Sequence, residues 1–299
     1  MKSKIIIGTR GSKLALWQAN FTKKSLEELG LEVVIKIIKT KGDKIQHLSF
    51  DKIEGKGFFT KELEAALLDK EVDLAVHSMK DLPTESPEGL IIGGVSYRED
   101  PADWLIINKE SVDKTKAYKF KTQAVIGTSS ARRKALLLDI RNDVVLKDIR
   151  GNVPTRLQKL KTGDFDGIIL AAAGLKRLQL DLAGFEVVKL NTREFIPAPA
   201  QGVLAFQTRQ EDIEVRKIIK RIHHPEVAKA TNIERKILNK LGGGCHMPLG
   251  VFCQPDANGH FHVWAAKSPT WDGQLKRVRF SSSTHFELAD QIVNALETG

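Results

Sequence analysis

Ile5-Ile-Ile-Gly-Thr9 and Ala124-Val-Ile-Gly-Thr128 are two versions of one phrase, and the reading of the fold starts from them. Each is an apolar run of strand length that ends in glycine and threonine. Each leads through serines and arginines into an apolar helix. After Thr9-Arg-Gly-Ser12 the helix is expected over 13–29, with Ser12 as N-cap and Gly30 as its stop. After Thr128-Ser-Ser130 it is expected over 131–138. The likeness extends further along both copies. Leu67 stands six residues before Asp73 and a strand, and Leu160 stands six before Asp166 and the strand 167–170. Two copies of an α/β unit are therefore expected.

The other elements fall into place around this pair. Strands are expected at 33–38, 90–95, 144–149, 185–190 and 203–207, and a helix capped by Thr60 runs through Leu68. Residues 40–57 are a long polar connection. Tyr97-Arg-Glu-Asp-Pro-Ala-Asp103 reads as a charged turn and a first crossover between domains, and Ile196-Pro-Ala-Pro-Ala-Gln-Gly202 as a second. Two helices separated by His223-His-Pro225 are expected in 212–241. Residues 250–283 alternate like strands broken at Asn258-Gly259 and Asp272-Gly273, the pattern of a small antiparallel sheet, before a last helix over 286–296.

Composition narrows the function. The 299 residues are 41% hydrophobic and 28% charged, with 47 Lys and Arg against 37 Asp and Glu, a net charge of +10. That surplus calls for an anionic partner. Nucleic acid fits poorly: Arg132-Arg133-Lys134 is the sole basic triplet, aromatics are 6%, and no zinc-finger or RNA-recognition motif occurs. The cations instead stand singly at loop mouths, as a small, multiply anionic ligand would need. Two cysteines, Cys245 and Cys253, build no disulfide framework and suit a reducing, cytoplasmic setting. Neither a signal peptide nor a membrane span is expected.

Candidate chemistry sits at strand ends. Ala75-Val-His-Ser-Met-Lys-Asp-Leu-Pro83 places Lys80 and Asp81 at the mouth of a strand, where open α/β sheets bind ligands; the bland alternative is a solvated turn. Three strand-to-helix junctions share hydroxyls, free helix N–H groups and guanidinium forks: Thr9 to Ser12 with Arg10, Thr128 to Arg133, and Arg150-Gly151-Asn152 with Arg156. Arg177 adds another fork. Such junctions bind carboxylate or phosphate; any one alone reads better as an ordinary cap with a surface arginine, and the three together read better as an anion site. Leu241-Gly-Gly-Gly-Cys-His-Met-Pro-Leu-Gly250 holds Cys245 in a glycine turn that leaves its sulfur open to a ligand, or else merely a turn with a buried thiol. The Cys and His spacings do not make a zinc site.

Taken together, these segments resemble the porphobilinogen deaminases, also called hydroxymethylbilane synthases, along essentially the whole chain. The matching motifs are Thr9-Arg-Gly-Ser with Leu14-Ala-Leu-Trp-Gln18, Gly55-Lys-Gly-Phe-Phe-Thr-Lys-Glu-Leu63, His77-Ser-Met-Lys-Asp81, Gly127-Thr-Ser-Ser-Ala-Arg-Arg133, Arg150-Gly-Asn-Val153 with Thr155-Arg156, Leu170-Ala-Ala-Ala-Gly-Leu-Lys-Arg177, and Gly243-Gly-Cys245 with Pro248. Gly242, His246, Met247 and Gln207 depart from the family's commonest versions. The resemblance implies an α/β fold of two periplasmic-binding-protein-like domains with mixed sheets, plus a small α+β C-terminal domain with an antiparallel sheet. Domain one would be 1–98 with 200–219, domain two 99–199, and domain three 220–299.

It also implies a reaction in tetrapyrrole (heme) biosynthesis, the head-to-tail condensation of four porphobilinogen molecules to hydroxymethylbilane with loss of ammonia. The implied cofactor is a dipyrromethane attached by a thioether to Cys245. By matching position, Lys80, Asp81, Thr128, Ser130, Arg132 and Arg133 would bind the cofactor. Arg10, Ser12, Gln18, Arg150, Arg156 and Arg177 would bind substrate or growing chain, and Asp81 would be catalytic. The family suggests a cytoplasmic monomer acting on a small molecule, with no metal, nucleic acid or membrane. The competing reading is a non-catalytic two-lobed binding protein for a polycarboxylate.

Overall fold

A computed structural model describes residues 2–40, 60–244 and 247–298. The expected connection over 40–57 lies, beyond Thr40, outside them. The chain divides into two units, residues 1–99 with 202–229 and residues 100–201 with 230–299.

In the first unit the apolar run Lys4–Thr9 is strand β1, followed by helix α1 (Lys13–Glu27) and strand β2 (Glu32–Ile37). Then come α2 (Lys61–Leu68), β3 (Leu74–Ser78) and β4 (Leu90–Val95). The chain re-enters with β10 (Leu204–Arg209) and α6 (Ile213–Lys220). Strand order is β2-β1-β3-β10-β4, with β1 parallel to β2 and β3, and β10 antiparallel to β3 and β4. Alternate residues of β3 feed opposite layers, as the period of two requires. Leu74 and Val76 pack with Ala19 and Leu26 of α1. Ala75 packs with Leu63, Ala66 and Leu67 of α2.

The second unit repeats the scheme. Its strands are β5 (Asp103–Asn108), β6 (Val125–Gly127), β7 (Val145–Lys147), β8 (Gly167–Ala171) and β9 (Phe185–Lys189), with helices α3 (Ala131–Ile140), α4 (Val153–Lys161) and α5 (Ala172–Arg177). Their order, β7-β6-β8-β5-β9, carries the same sequence of parallel and antiparallel pairings. The match reaches single atoms. Asp73 Oδ2 accepts from Ile6 N at 2.8 Å, and Asp166 Oδ2 accepts from Val125 N at 2.8 Å. Lys2 pairs with the other oxygen of Asp73, and Lys121 with that of Asp166. Beneath the second of these clamps a Cβ on Gly127 would meet the Phe165 ring at 2.8 Å, so only glycine fits there.

The rest of the second unit is α7 (Pro225–Lys240), a sheet of β11 (Leu249–Pro255), β12 (Phe261–Lys267) and β13 (Lys276–Ser282), and α8 (Leu288–Glu297). That sheet is antiparallel throughout. Its inward residues Val251, Cys253, Val263 and Ala265 close on Ile233 and Ile237 of α7 and Leu288 and Ile292 of α8. The molecule is thus α/β, with two mixed five-stranded sheets and a three-stranded antiparallel one. No helix of the described residues is long and apolar enough to cross a membrane.

Three expectations change in detail. Thr60 does not cap its helix through the backbone; its hydroxyl donates to the Glu64 carboxylate at 3.2 Å. The strand expected over 144–149 stops at Lys147, and Ile149 exchanges hydrogen bonds with the Ser129 hydroxyl instead. The charged turn ending at Asp103 is cut short, because Asp103 opens β5 and is fully buried.

Candidate functional site

In the first unit β1 and β3 are parallel neighbours, so their carboxyl ends bring 9–12 and 78–81 to one sheet edge. Ser12 is the N-cap of α1, accepting from Ala15 N at 3.2 Å. Gln18, buried on α1, donates through Nε2 to Ser78 Oγ at 2.8 Å and so ties the helix to the end of β3. The 3-10 turn Met79–Asp81 follows. Its setting is fixed by its neighbours: Met79 and Leu82 are buried, and Met79 N donates to Val203 O at 2.9 Å. With those two held in the core, Lys80 is left half-buried and Asp81 exposed. Arg10, Ser12, Gln18, Lys80 and Asp81 thus share one edge.

In the second unit the equivalent edge carries hydroxyls and guanidinium groups. Thr128 Oγ1 accepts from Ser130 N at 3.3 Å, and Ser130 Oγ accepts from Arg133 N at 3.5 Å at the start of α3. Each hydroxyl spends a lone pair on the backbone and keeps its hydrogen for a ligand oxygen. Ser129 differs, since it both donates to Ile149 O and accepts from Ile149 N.

Asp103 organises the two arginines of α3. Arg132 Nη1 lies 2.8 Å from Asp103 Oδ2 and donates to Ile196 O at 2.9 Å. Arg133 donates from Nη2 to Asp103 Oδ1 at 2.7 Å, from Nε at 3.2 Å, and from Nη1 to Ile169 O at 3.0 Å. Burial pushes the Asp103 carboxyl up, but the charges and hydrogen bonds of Arg132 and Arg133 outweigh it and hold the group well below the usual carboxylate range. Burial likewise lowers Arg132 against the opposing pull of Asp103.

A single carboxylate cannot neutralise two guanidinium groups, and more positive charge stands nearby. Arg156 is pushed down to about 10 by burial first, and then by the charges of Arg133 and Arg150. Its Nε donates to Gly151 O at 2.8 Å, which fixes it at the start of α4, where Asn152 caps by accepting from Thr155 N. Arg177 is buried at the end of α5. Like charges crowded at a half-buried edge are costly unless an anion completes them. The chemistry that fits is a ligand with several carboxylates, which suits the carboxylate-rich cofactor of the implied family.

Cys245 and His246 lie outside the described residues. The approach to Cys245 runs through Gly242, in a left-handed conformation at φ +64°. Reading the sequence missed Asp103, Gln201, Ser78 and His77. Gln201 Nε2 donates to Pro101 O at 2.8 Å and to Asp103 Oδ1 at 3.0 Å. A buried acid directly before an apolar run, Asp103-Trp-Leu-Ile-Ile, was the available signal for Asp103.

Comparisons with known proteins agree with this chemistry. The family model "Porphobilinogen deaminase, dipyromethane cofactor binding domain" matches residues 5–217. The porphobilinogen deaminase of a Nitratiruptor species is 48% identical over 297 residues, 97% of this chain and 94% of that protein. That of Sulfurimonas denitrificans is 41% identical, over 95% of this chain and 90% of its own length. Among solved structures, the methionine-binding protein MetQ covers 78% of this chain and 95% of its own, at 14% identity and a TM-score of 0.45.

Proposed function

We propose how this chain, which belongs to the porphobilinogen deaminase family, divides its reaction among its residues. It is a transferase of tetrapyrrole biosynthesis with a dipyrromethane cofactor. Its substrate is porphobilinogen, four molecules of which are joined head to tail with loss of ammonia. When bound, the cofactor supplies the pyrrole carbon on which the chain is started, and it is held by a thioether to Cys245. Lys80, Thr128, Ser130, Arg132 and Arg133 hold its carboxylates. Arg10, Ser12, Gln18, Arg150, Arg156 and Arg177 take the carboxylates of incoming substrate and growing chain.

The one observation that carries this division is the gathering of Arg133, Arg150 and Arg156 at one edge, where Arg132 and Arg133 share the single carboxylate of Asp103. Each porphobilinogen adds an acetate and a propionate, so every step of elongation needs fixed cations. The substrate carbon that loses its amine needs the opposite sign. Asp81, exposed at the end of β3, protonates the departing nitrogen and then balances the cation left on the substrate.

Ammonia release from porphobilinogen tests this directly. Asp81→Ala should keep its fold and its cofactor-binding loops yet lose turnover by about 10²–10³, the usual size of one preorganised group. Near-normal turnover would remove Asp81 from its role. Intact mass tests the attachment: the purified protein should exceed its chain mass by a dipyrrole, and Cys245→Ala should not. A dipyrrole still bound in that variant would place the link elsewhere.

We also read the chain as three domains, 1–98 with 200–219, 99–199 and 220–299. The closed core around β11, β12, β13, α7 and α8 supports the third. The protein is then a cytoplasmic monomer that binds neither nucleic acid nor membrane, and sedimentation equilibrium would check its oligomeric state.

A further inference from the structure

The first unit contains a chain of buried polar groups that the reaction described above does not use. Thr60 Oγ1 donates to Glu64 Oε2 at 3.2 Å, Gln207 Nε2 donates to Glu64 Oε1 at 3.2 Å, and His77 Nε2 stands 3.1 Å from Gln207 Oε1. All four residues are buried. They link the start of α2 through β10 to β3, and the chain ends at the residue preceding Ser78.

The direction of each bond follows from the chemistry of its partners. A carboxylate accepts and does not donate. Glu64 takes a hydroxyl hydrogen on one oxygen and an amide hydrogen on the other. The Gln207 amide must therefore turn its nitrogen to Glu64 and its oxygen to His77. That oxygen also only accepts, so Nε2 of His77 carries the ring hydrogen and Nδ1 carries a lone pair. The charged groups around the ring are Arg10 beyond β1, Glu64 behind Gln207, and Lys80 and Asp81 further along its own segment. Burial lowers His77, the Gln207 bond partly restores it, and the Arg10 charge lowers it again, to about 4.

We propose that Thr60, Glu64 and Gln207 lock His77 as the neutral Nε2–H tautomer, so that Arg10, which continues β1 alongside the end of β3, never has a second cation as its neighbour. His77 is then a positioning residue for Arg10. An imidazolium there would repel the guanidinium and draw it off the substrate carboxylate it holds. This rests on the reading of Arg10 as a substrate ligand.

The test is Gln207→Glu in the full-length, cofactor-loaded enzyme. It is made together with Glu64→Gln, so that no second carboxylate lies 3.2 Å away to take the proton; it then sets a carboxylate against Nε2–H and favours the charged ring. Nitrogen NMR of ¹⁵N-histidine protein, with His77→Asn to identify the signal, should show a neutral Nε2–H ring in the wild type at every pH where the enzyme works. In the double variant its midpoint should rise by about 2 pH units. The KM for porphobilinogen should then climb about fivefold as pH falls through that midpoint, with kcat unchanged, while the wild-type KM stays level.

A wild-type ring that is charged or Nδ1–H at pH 7 overturns the proposal. So does a ring in the double variant that titrates without moving KM. Should the double variant fail to fold, Gln207→Met removes the acceptor and should yield a mixture of tautomers; an unchanged pure Nε2–H ring would refute the lock. Failure of the Arg10 reading looks different: Arg10→Lys would leave KM unaltered while His77 still showed the predicted tautomer.

Discussion

Asp103 shows how much one residue can decide. It is fully buried, and it holds two buried arginines that we propose as ligands of the cofactor's carboxylates. Removing one partner of a buried ion pair leaves uncompensated charge, which costs about 3–5 kcal/mol. Asp103→Ala should lose stability of that order at pH 7, measured by urea unfolding. The pH dependence has a fixed sign. Because the folded carboxyl titrates below its ordinary value, Asp103 stabilises the fold fully above about pH 4 and progressively less as pH falls toward its lowered value. The gap between wild type and variant should therefore narrow in acid. A gap that held constant from pH 7 to pH 3 would mean that packing, and not charge, sets the contribution of Asp103.

At the scale of elements, the repeated clamp at the start of β3 and β8 joins each strand to its parallel neighbour. The two copies are not equally buried. The Asp73 side chain is 9% exposed and also meets Arg209, itself buried, whereas that of Asp166 is 19% exposed with Lys121 as its cation. Truncating Asp73 takes one of two carboxylates from the buried Arg209, which keeps Asp212 at 2.8 Å, and leaves the Ile6 N–H without its acceptor, and should cost about 2–3 kcal/mol. Truncating Asp166 should cost about 1–2 kcal/mol, since its lysine returns to water. Thermal unfolding of Asp73→Ala and Asp166→Ala would check the order, and a reversed order would mean that exposure does not govern the difference.

These clamps also show what a sequence can disclose. The runs at Ile5 and Ala124, the serine caps at 12 and 130, and Asp73 with Asp166 are local signals, so the two copies are legible in the residues alone. Strand β5 is not. It is antiparallel to β8 and β9, its partners lie far along the chain, and Arg-Glu-Asp-Pro ahead of it imitates a turn. The junction residues are legible because each follows its own strand. The partners that set their charge and direction are harder to read: Asp103 shows only as an acid ahead of an apolar run, and Gln207, on a strand distant in sequence, leaves no local trace.

Across the whole molecule, the chain passes three times between its two units, after Glu99, after Gln201 and after Lys229. Growth of a product by successive units at fixed cations requires some movement, and whatever one unit does against the other must be absorbed at these three crossings. The first two are not independent. Glu99 N donates to Gly202 O at 3.1 Å, so the outgoing and returning segments are bound side by side. Gly202 holds φ +93°, and a Cβ there would lie 2.3 Å from Glu99 O, a distance no side chain tolerates. Just before it, Ala200 is also left-handed at φ +60°, with its N–H held by the buried Glu234 carboxylate at 2.6 Å. Gly202→Ala must therefore force the two segments apart while leaving every proposed ligand of the carboxylates in place. If the paired crossing is the hinge, this variant should bind the first porphobilinogen units as the wild type does and then stall. Intact-mass spectra taken after limiting substrate would show shorter enzyme-bound chains accumulating. A folded Gly202→Ala enzyme with the wild-type distribution of chain lengths and the wild-type rate would show that elongation does not turn on this crossing.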